Sequence, residues 1–282
     1  MPVGATDAQD RYSYEPFTRH GFYEEMNQSL VGRAVDWLAA PSGKPAAVVD
    51  LGCGTGALTA TLADELRRRG IPAEINGIDP SAAALAVAER RLSEAPGIRF
   101  FQGDVGAIGQ LAPVDAVFFC NAIHLVPDKD DVLERIAQAL VPGGLLAMNS
   151  AFFTGAYAPG TERFYRLWTA RALRRLRQTH PEVRLSRGAR APAMDWRSPE
   201  DYEALLRGHG FDDVTITLDE AHMTLQSIQD IGRYSLFIEG ALPGAPLDAG
   251  ADALEFGARE AFDELGLEFL PRRWLQLIAR CR

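Results

Sequence analysis

The chain has little lysine, little cysteine and no long apolar run. Lys44 and Lys129 are the only lysines among 282 residues, although arginine is abundant. In total 29 basic residues meet 38 acidic ones, for a net charge of -9. General nucleic-acid binding needs a dominant basic surface, so nucleic acid is not an expected partner. The three cysteines, Cys53, Cys120 and Cys281, show no paired spacing. Such a set reads as reduced thiols of a cytoplasmic protein, not as a disulfide framework. No stretch of 18 apolar residues occurs, so no membrane span is expected. The opening residues MPVGATDAQD are polar and acidic, unlike the basic-then-apolar order of a secretory signal. The histidines at 20, 124, 180, 209 and 222 lack the spacing of paired ligands, so no metal site is expected.

What the chain does have is apolar residues, at 47%, arranged in two alternating rhythms. Met26, Leu30, Ala34 and Leu38 recur every fourth position and predict an N-terminal amphipathic helix, ended by Pro41-Ser42-Gly43. Short apolar runs at 46–51, 74–78, 98–102, 115–120 and 145–148 then alternate with helical patterns at 57–69, 81–92 and 128–140. This β-α-β-α order predicts a parallel sheet with helices on both faces. After Ala151 the rhythm breaks. Residues 152–196 read as a helical cap. Helices are expected at 199–208, 226–239 and 254–265, strands at 214–218 and 274–279, and a loop at 241–251.

The strongest local signal is Val48-Val49-Asp50-Leu51-Gly52-Cys53-Gly54-Thr55-Gly56, a buried strand running into three alternating glycines before a helix. Glycine permits the tight turn and a close approach of ligand to backbone. The amides at the helix start can bind polar ligand groups. Gly52, Gly54 and Ala57 also satisfy the dinucleotide pattern. Asp79, at the end of the next strand, suits the ribose hydroxyls of either ligand. The loop alone therefore leaves an NAD-dependent oxidoreductase open.

The longer string resembles the first motif of the class I S-adenosylmethionine-dependent methyltransferases. Asp50 is typical of that family; a carboxylate there would repel a pyrophosphate but favour a sulfonium and an amino group. Further segments match in order: Gly77-Ile78-Asp79 resembles the ribose-binding strand end and Gly103-Asp104-Val105 the adenine-binding turn. Asp115–Asn121 resembles the strand facing the methyl group, and Leu140–Gly144 the turn before the fifth strand. The resemblance covers roughly residues 46–150. It implies a Rossmann-like fold, a mostly parallel seven-stranded sheet, with S-adenosylmethionine as cofactor. Carried onto this chain, the cofactor residues would be Asp50, Gly52, Gly54, Gly56, Asp79, Asp104, Val105 and Asn121.

Four segments follow from this reading: an N-terminal helical lid at 1–45, the cofactor-binding core at 46–151, the helical cap at 152–196, and completion of the sheet with a helical insertion at 197–282. His124 leaves the fourth strand at the edge where such sheets bind ligands, which makes it the candidate general base. Packing is its other role. The aromatic flanks supply Tyr14 and Tyr157, with His20, as candidate acceptor contacts. Residues 163–190 hold nine arginines and one acid, Glu182. They read either as a solvated basic face or as recognition of an anion by Arg163 and Arg166. The expected acceptor is a small biosynthetic molecule, bearing a phosphate or carboxylate or held on an acidic carrier protein. The asparagine-proline-proline-tyrosine type motif of many amino-methylating enzymes is missing at Asn121, which argues against adenine or glutamine as acceptor. A protein that binds S-adenosylmethionine without methylating, for instance to assist a cyclisation, is the other alternative.

Overall fold

The computed structural model describes residues 12–38, 44–186 and 195–282. The Pro41-Ser42-Gly43 break, and Arg187 and Arg190 of the arginine-rich stretch, lie outside the described residues. Seven strands form one sheet: β1 (Ala46–Leu51), β2 (Ala73–Asp79), β3 (Ile98–Gln102), β4 (Val114–Cys120), β5 (Leu140–Ser150), β6 (Phe211–Met223) and β7 (Leu270–Cys281). Their order is β3-β2-β1-β4-β5-β7-β6. The pairs β1–β2, β2–β3, β1–β4 and β4–β5 are parallel, and β7 runs antiparallel to β5. This is the Rossmann-like sheet of the methyltransferase class.

The helices are α1 (Gly21–Trp37), α2 (Ala57–Arg68), α3 (Ala82–Arg91), α4 (Lys129–Ala139), α5 (Glu162–Thr179), α6 (Pro199–Gly208), α7 (Leu225–Arg233), α8 (Ser235–Ala241) and α9 (Leu247–Leu265). A helical turn, Glu15–Thr18, precedes α1. The chain divides into two compact units. One comprises residues 24–155, 197–219 and 274–282; the other comprises 1–23, 156–196 and 220–273.

The first unit contains the central strands. β1 and β4 are buried almost throughout, as strands covered on both faces must be. Their side chains join Leu30, Val31 and Ala34 of α1, Leu58, Leu62 and Leu66 of α2, and Ile278 of β7 in one apolar cluster. Leu58, Leu62 and Leu66 recur every four residues, so one face of α2 packs while its arginines stay in water. Capping starts the helices. Ser81 Oγ accepts from Ala84 N at 3.2 Å at the start of α3, and Asp128 Oδ1 accepts from Asp131 N at 3.0 Å at the start of α4.

The second unit is built on α5 against α9. Phe164, Trp168, Ala172 and Leu176 make the buried stripe of α5, and Trp168 Nε1 donates to Leu254 O at 2.7 Å. The basic face of α5 meets acids of α9: Arg171 with Glu264, Arg175 with Asp252 at 2.9 Å and Arg174 with Glu260 at 3.7 Å.

Two expectations fail here. The loop at 241–251 ends early, because α9 already begins at Leu247. The Pro and Gly residues from 243 to 250 look like loop, yet Gly250 lies inside the helix where Ile238 leaves no room for a side chain. The helix at 226–239 is broken at Tyr234, whose extended backbone separates α7 from α8.

Candidate functional site

β1 leads into a loop whose three glycines all adopt left-handed backbone: Gly52 at φ 72°, Gly54 at 53° and Gly56 at 77°. That conformation costs a residue with a Cβ, which explains the alternating spacing. The loop is tied to the neighbouring strand. Gly52 N and Cys53 N both donate to Ile78 O, at 2.7 and 3.1 Å. Gly54 N donates to Asp79 Oδ2 at 2.9 Å, and Ser81 N donates to Asp79 Oδ1 at 2.8 Å. Each carboxylate oxygen of Asp79 is thus held by one amide and keeps acceptor capacity for a ligand hydroxyl. A Cβ built on Gly54 would meet nothing within 4 Å, so the loop backbone is open there.

Asp50 is only 1% exposed, at the end of β1. Thr59 Oγ1 donates to its Oδ2 at 2.5 Å, which joins the strand end to the first turn of α2. Burial pushes its carboxyl up to about 7, with the Thr59 hydrogen bond opposing and the charge of Asp79 reinforcing. In the unfolded chain the group ionises near its ordinary 3.8. The folded state therefore holds the proton longer, and Asp50 destabilises the fold increasingly as pH rises from about 4 to about 7, by roughly 1.4 kcal/mol per unit. Asp50→Asn keeps an acceptor for Thr59 and removes the titration. Denaturant unfolding of this variant is expected to show higher stability than wild type at pH 8 and no difference at pH 4. Parallel pH profiles for the two proteins would refute this.

Asp104 opens the turn Val105–Gln110, its Oδ1 accepting from Gly106 N at 2.8 Å, and its side chain is exposed. Cys53 lies within the loop. Burial, and after it the charges of Asp50 and Asp79, push its thiol up, so it stays protonated and is no nucleophile.

Asn121 follows β4 with a left-handed φ of 49°, which asparagine tolerates better than most residues. Its N donates to Asn149, to O at 2.9 Å and Oδ1 at 3.1 Å, and its Oδ1 accepts from Ala151 N at 3.1 Å. These bonds pin the strand ends of β4 and β5 together. His124 is 2% exposed, its ring centroid 4.4 Å from that of Phe152. Ser150 Oγ accepts from Phe152 N at 3.0 Å and donates to Phe152 O at 3.1 Å. The same Oγ lies 3.4 Å from His124 Nδ1. Ser150 and Thr59 were not singled out in the sequence, since no local pattern marks a hydroxyl that orients another side chain.

The remaining candidates lie in the second unit. Tyr14 packs against Tyr23 and Tyr234, and burial followed by those phenols pushes it well up. His20 Nε2 lies 2.8 Å from Asp230 Oδ2. Tyr157 stacks on Tyr165. Arg163 and Arg166 are exposed on α5. Among the described residues no group of three or more metal-ligating side chains occurs.

The glycine cradle, the amide-held Asp79 and the exposed Asp104 fit S-adenosylmethionine: diol, purine amine and a cation-tolerant carboxyl each have a counterpart. Residues 48–144 match the family described as a methyltransferase domain. Over 116 residues the chain is 41% identical to trans-aconitate 2-methyltransferase of Methylobacterium nodulans, covering 41% of this chain and 42% of that one. Over 117 residues it is 38% identical to 2-phytyl-1,4-naphtoquinone methyltransferase of Thermosynechococcus vestitus, covering 41% and 49%. The matched segment thus spans less than half the length of these curated relatives. The solved phosphoethanolamine N-methyltransferase 2 of Haemonchus contortus, in complex with S-adenosyl-L-methionine, shares the fold with a TM-score of 0.54 at 18% identity, covering 99% of this chain and 60% of that one. Through its glycine loop and the strands around it, the segment 48–144 resembles the methyltransferase domain, and the chain shares the fold of solved S-adenosylmethionine-dependent methyltransferases.

Proposed function

We propose that the chain transfers the methyl group of S-adenosylmethionine to a small-molecule acceptor. The observation that carries this is the cradle at the end of β1. Three left-handed glycines turn the backbone there, leaving it open at Gly54, beside an Asp79 whose two oxygens are already oriented by Gly54 N and Ser81 N. Asp79 accepts from the two ribose hydroxyls. Asp104, with Val105 beside it, accepts from the exocyclic amine of adenine. The turn made by Gly52, Gly54 and Gly56, open at Gly54, borders the amino-acid end of the cofactor. Asp50 acts through the loop: its bond to Thr59 holds the turn, and a cation nearby would favour its ionised form. Asn121 also acts through the backbone, by fixing the ends of β4 and β5.

When bound, S-adenosylmethionine supplies a methyl carbon already activated by its sulfonium. The chain's own contribution is then alignment, and a base only where the acceptor is weakly nucleophilic. His124 fits that second task as the imidazole just beyond β4, its ring set against Phe152 and Ser150. The relatives named for trans-aconitate and for a naphthoquinone both act on small organic molecules, which supports an acceptor of that class.

The test is to incubate the chain with S-adenosylmethionine and a panel of small acceptors beginning with trans-aconitate. S-adenosylhomocysteine and methylated product are followed by mass spectrometry. Stoichiometric formation of both is expected with one acceptor, and none without. Binding of NAD in place of S-adenosylmethionine, read by calorimetry, would refute the proposal. In the same assay His124→Ala should lose turnover while keeping cofactor affinity; unchanged turnover would leave His124 a packing residue.

A further inference from the structure

The chain has four asparagines, Asn27, Asn76, Asn121 and Asn149, and three of them meet in one buried network of the first unit. Asn149, near the end of β5, is its centre. Asn149 Nδ2 donates to Asn27 Oδ1 of α1 at 3.1 Å, and Asn149 Oδ1 accepts from Asn121 N at 3.1 Å. Asn27 and Asn149 are both buried. Gln276 of β7 stands directly opposite Asn149, so the two side chains share one face of the sheet. Gln276 Nε2 donates to Met26 O at 3.0 Å. Two buried amides on adjacent strands thus hold consecutive residues of α1.

The orientation of the Asn149 amide depends on Asn27. A side-chain amide carries its acceptor on one arm and its donors on the other. Asn121 N is a donor, so Asn149 must turn Oδ1 towards it and Nδ2 away. Asn27 Oδ1 is the acceptor that meets Nδ2 in that orientation. With an apolar residue at 27, Nδ2 would lose this partner inside the protein, and a buried donor without a partner is costly. The consequence reaches the glycine loop. Asn121 N and Oδ1 hold the left-handed turn after β4. The next residue, Ala122, packs against the loop: a Cβ built on Gly52 would lie 3.1 Å from Ala122 Cβ. A path of direct contacts therefore runs from Asn27 through Asn149 and Asn121 to the loop, and His124 follows on the same turn.

We propose that Asn27 is a positioning residue of the cofactor site, acting through Asn149 and Asn121. It holds the turn after β4, and with it the packing against Gly52, in the shape that receives S-adenosylmethionine. This rests on the methyltransferase reading.

The experiment compares the full chain with Asn27→Leu, Asn27→Asp and Leu30→Ala. Leucine is close to asparagine in size and removes the acceptor; aspartate keeps an acceptor oxygen for Asn149. Leu30, buried in the apolar cluster on the same helix, is the control for lost packing alone. S-adenosylhomocysteine affinity is read by calorimetry. Backbone amide exchange at Asn121, relative to Asn76 of β2, is read by NMR on protein carrying isotope-labelled asparagine. Asn27→Leu is expected to weaken S-adenosylhomocysteine by about 3- to 10-fold, as the loss of one buried hydrogen bond implies, and to speed relative exchange at Asn121 by roughly 10-fold. Asn27→Asp should stay close to wild type in both. Leu30→Ala should lower the denaturant midpoint and leave S-adenosylhomocysteine affinity unchanged. The proposal is overturned if Asn27→Leu keeps wild-type affinity or wild-type exchange at Asn121, or if Asn27→Asp or Leu30→Ala loses as much affinity as Asn27→Leu. Should Asn27→Leu fail to fold, Asn27→Ala is judged by the same outcomes. Failure of wild type to bind S-adenosylhomocysteine would instead refute the methyltransferase reading, whereas exchange at Asn121 needs no ligand and tests the hold of Asn27 on the turn by itself.

Discussion

Asp79→Ala is expected to weaken S-adenosylmethionine binding on the order of 100-fold. Two losses combine. The carboxylate no longer accepts from the ribose hydroxyls, and charge-assisted hydrogen bonds contribute about 1.5–3 kcal/mol each. The amides of Gly54 and Ser81 also lose the acceptors that orient them, at 2.9 and 2.8 Å, so the loop no longer presents one shape to the ligand. Asp79→Asn separates these contributions, because it keeps the size and one acceptor but offers a donor where another acceptor is needed. Its affinity should fall between wild type and Asp79→Ala. Calorimetry on folded variants reads both values. Wild-type affinity in Asp79→Ala would remove Asp79 from the cofactor site and take the central support from the proposed function.

Gly257→Ala is expected to destabilise the chain by about 2–3 kcal/mol, against its helix propensity. Alanine is favoured over glycine in a helix by up to about 1 kcal/mol, so a gain is the local expectation. In α9, however, a Cβ on Gly257 would lie 2.7 Å from Trp168 O and 2.8 Å from Ala172 N of α5. Those are backbone atoms of a packed helix, and they can yield only if the two helices move apart, which overpacking charges at about 1–3 kcal/mol or more. Gly32, inside α1, is the control: a Cβ there meets nothing within 4 Å, so Gly32→Ala should stabilise the chain. Denaturant midpoints for the two variants should shift in opposite directions. If both shift upward, the close approach of α5 and α9 is not a constraint on the fold.

The parallel core was legible because its signals are local. Short apolar runs such as Asp115–Cys120 between turn signals suit strands buried on both faces, and the acids opening α4 and the serine opening α3 mark helix starts within a few residues. The glycine loop was legible for the same reason. Each left-handed φ at Gly52, Gly54 and Gly56 is a demand on one residue, met by the residue type itself. Asp79 was legible from its place at a strand end.

The partners of those residues were not. Nothing near Asp50 announces Thr59, and nothing near His124 announces Ser150, because a hydrogen bond across elements depends on where the chain returns. The same holds for the arginine-rich stretch: its charge was plain, but the acids of α9 that meet Arg171, Arg174 and Arg175 come some eighty residues later. Arg272 carried no motif at all, and only the bridge to Tyr157 set it beneath a phenol ring. By itself, then, the sequence determined the sheet core and the loop conformation, since periodicity and backbone φ are properties of neighbours along the chain, and the cofactor class followed from the resemblance of its motifs. The tertiary structure alone decided the insertion of β7 between β5 and β6, the contact of α5 with α9 and the burial of Arg272, since each requires distant segments to meet in a register that no local pattern encodes.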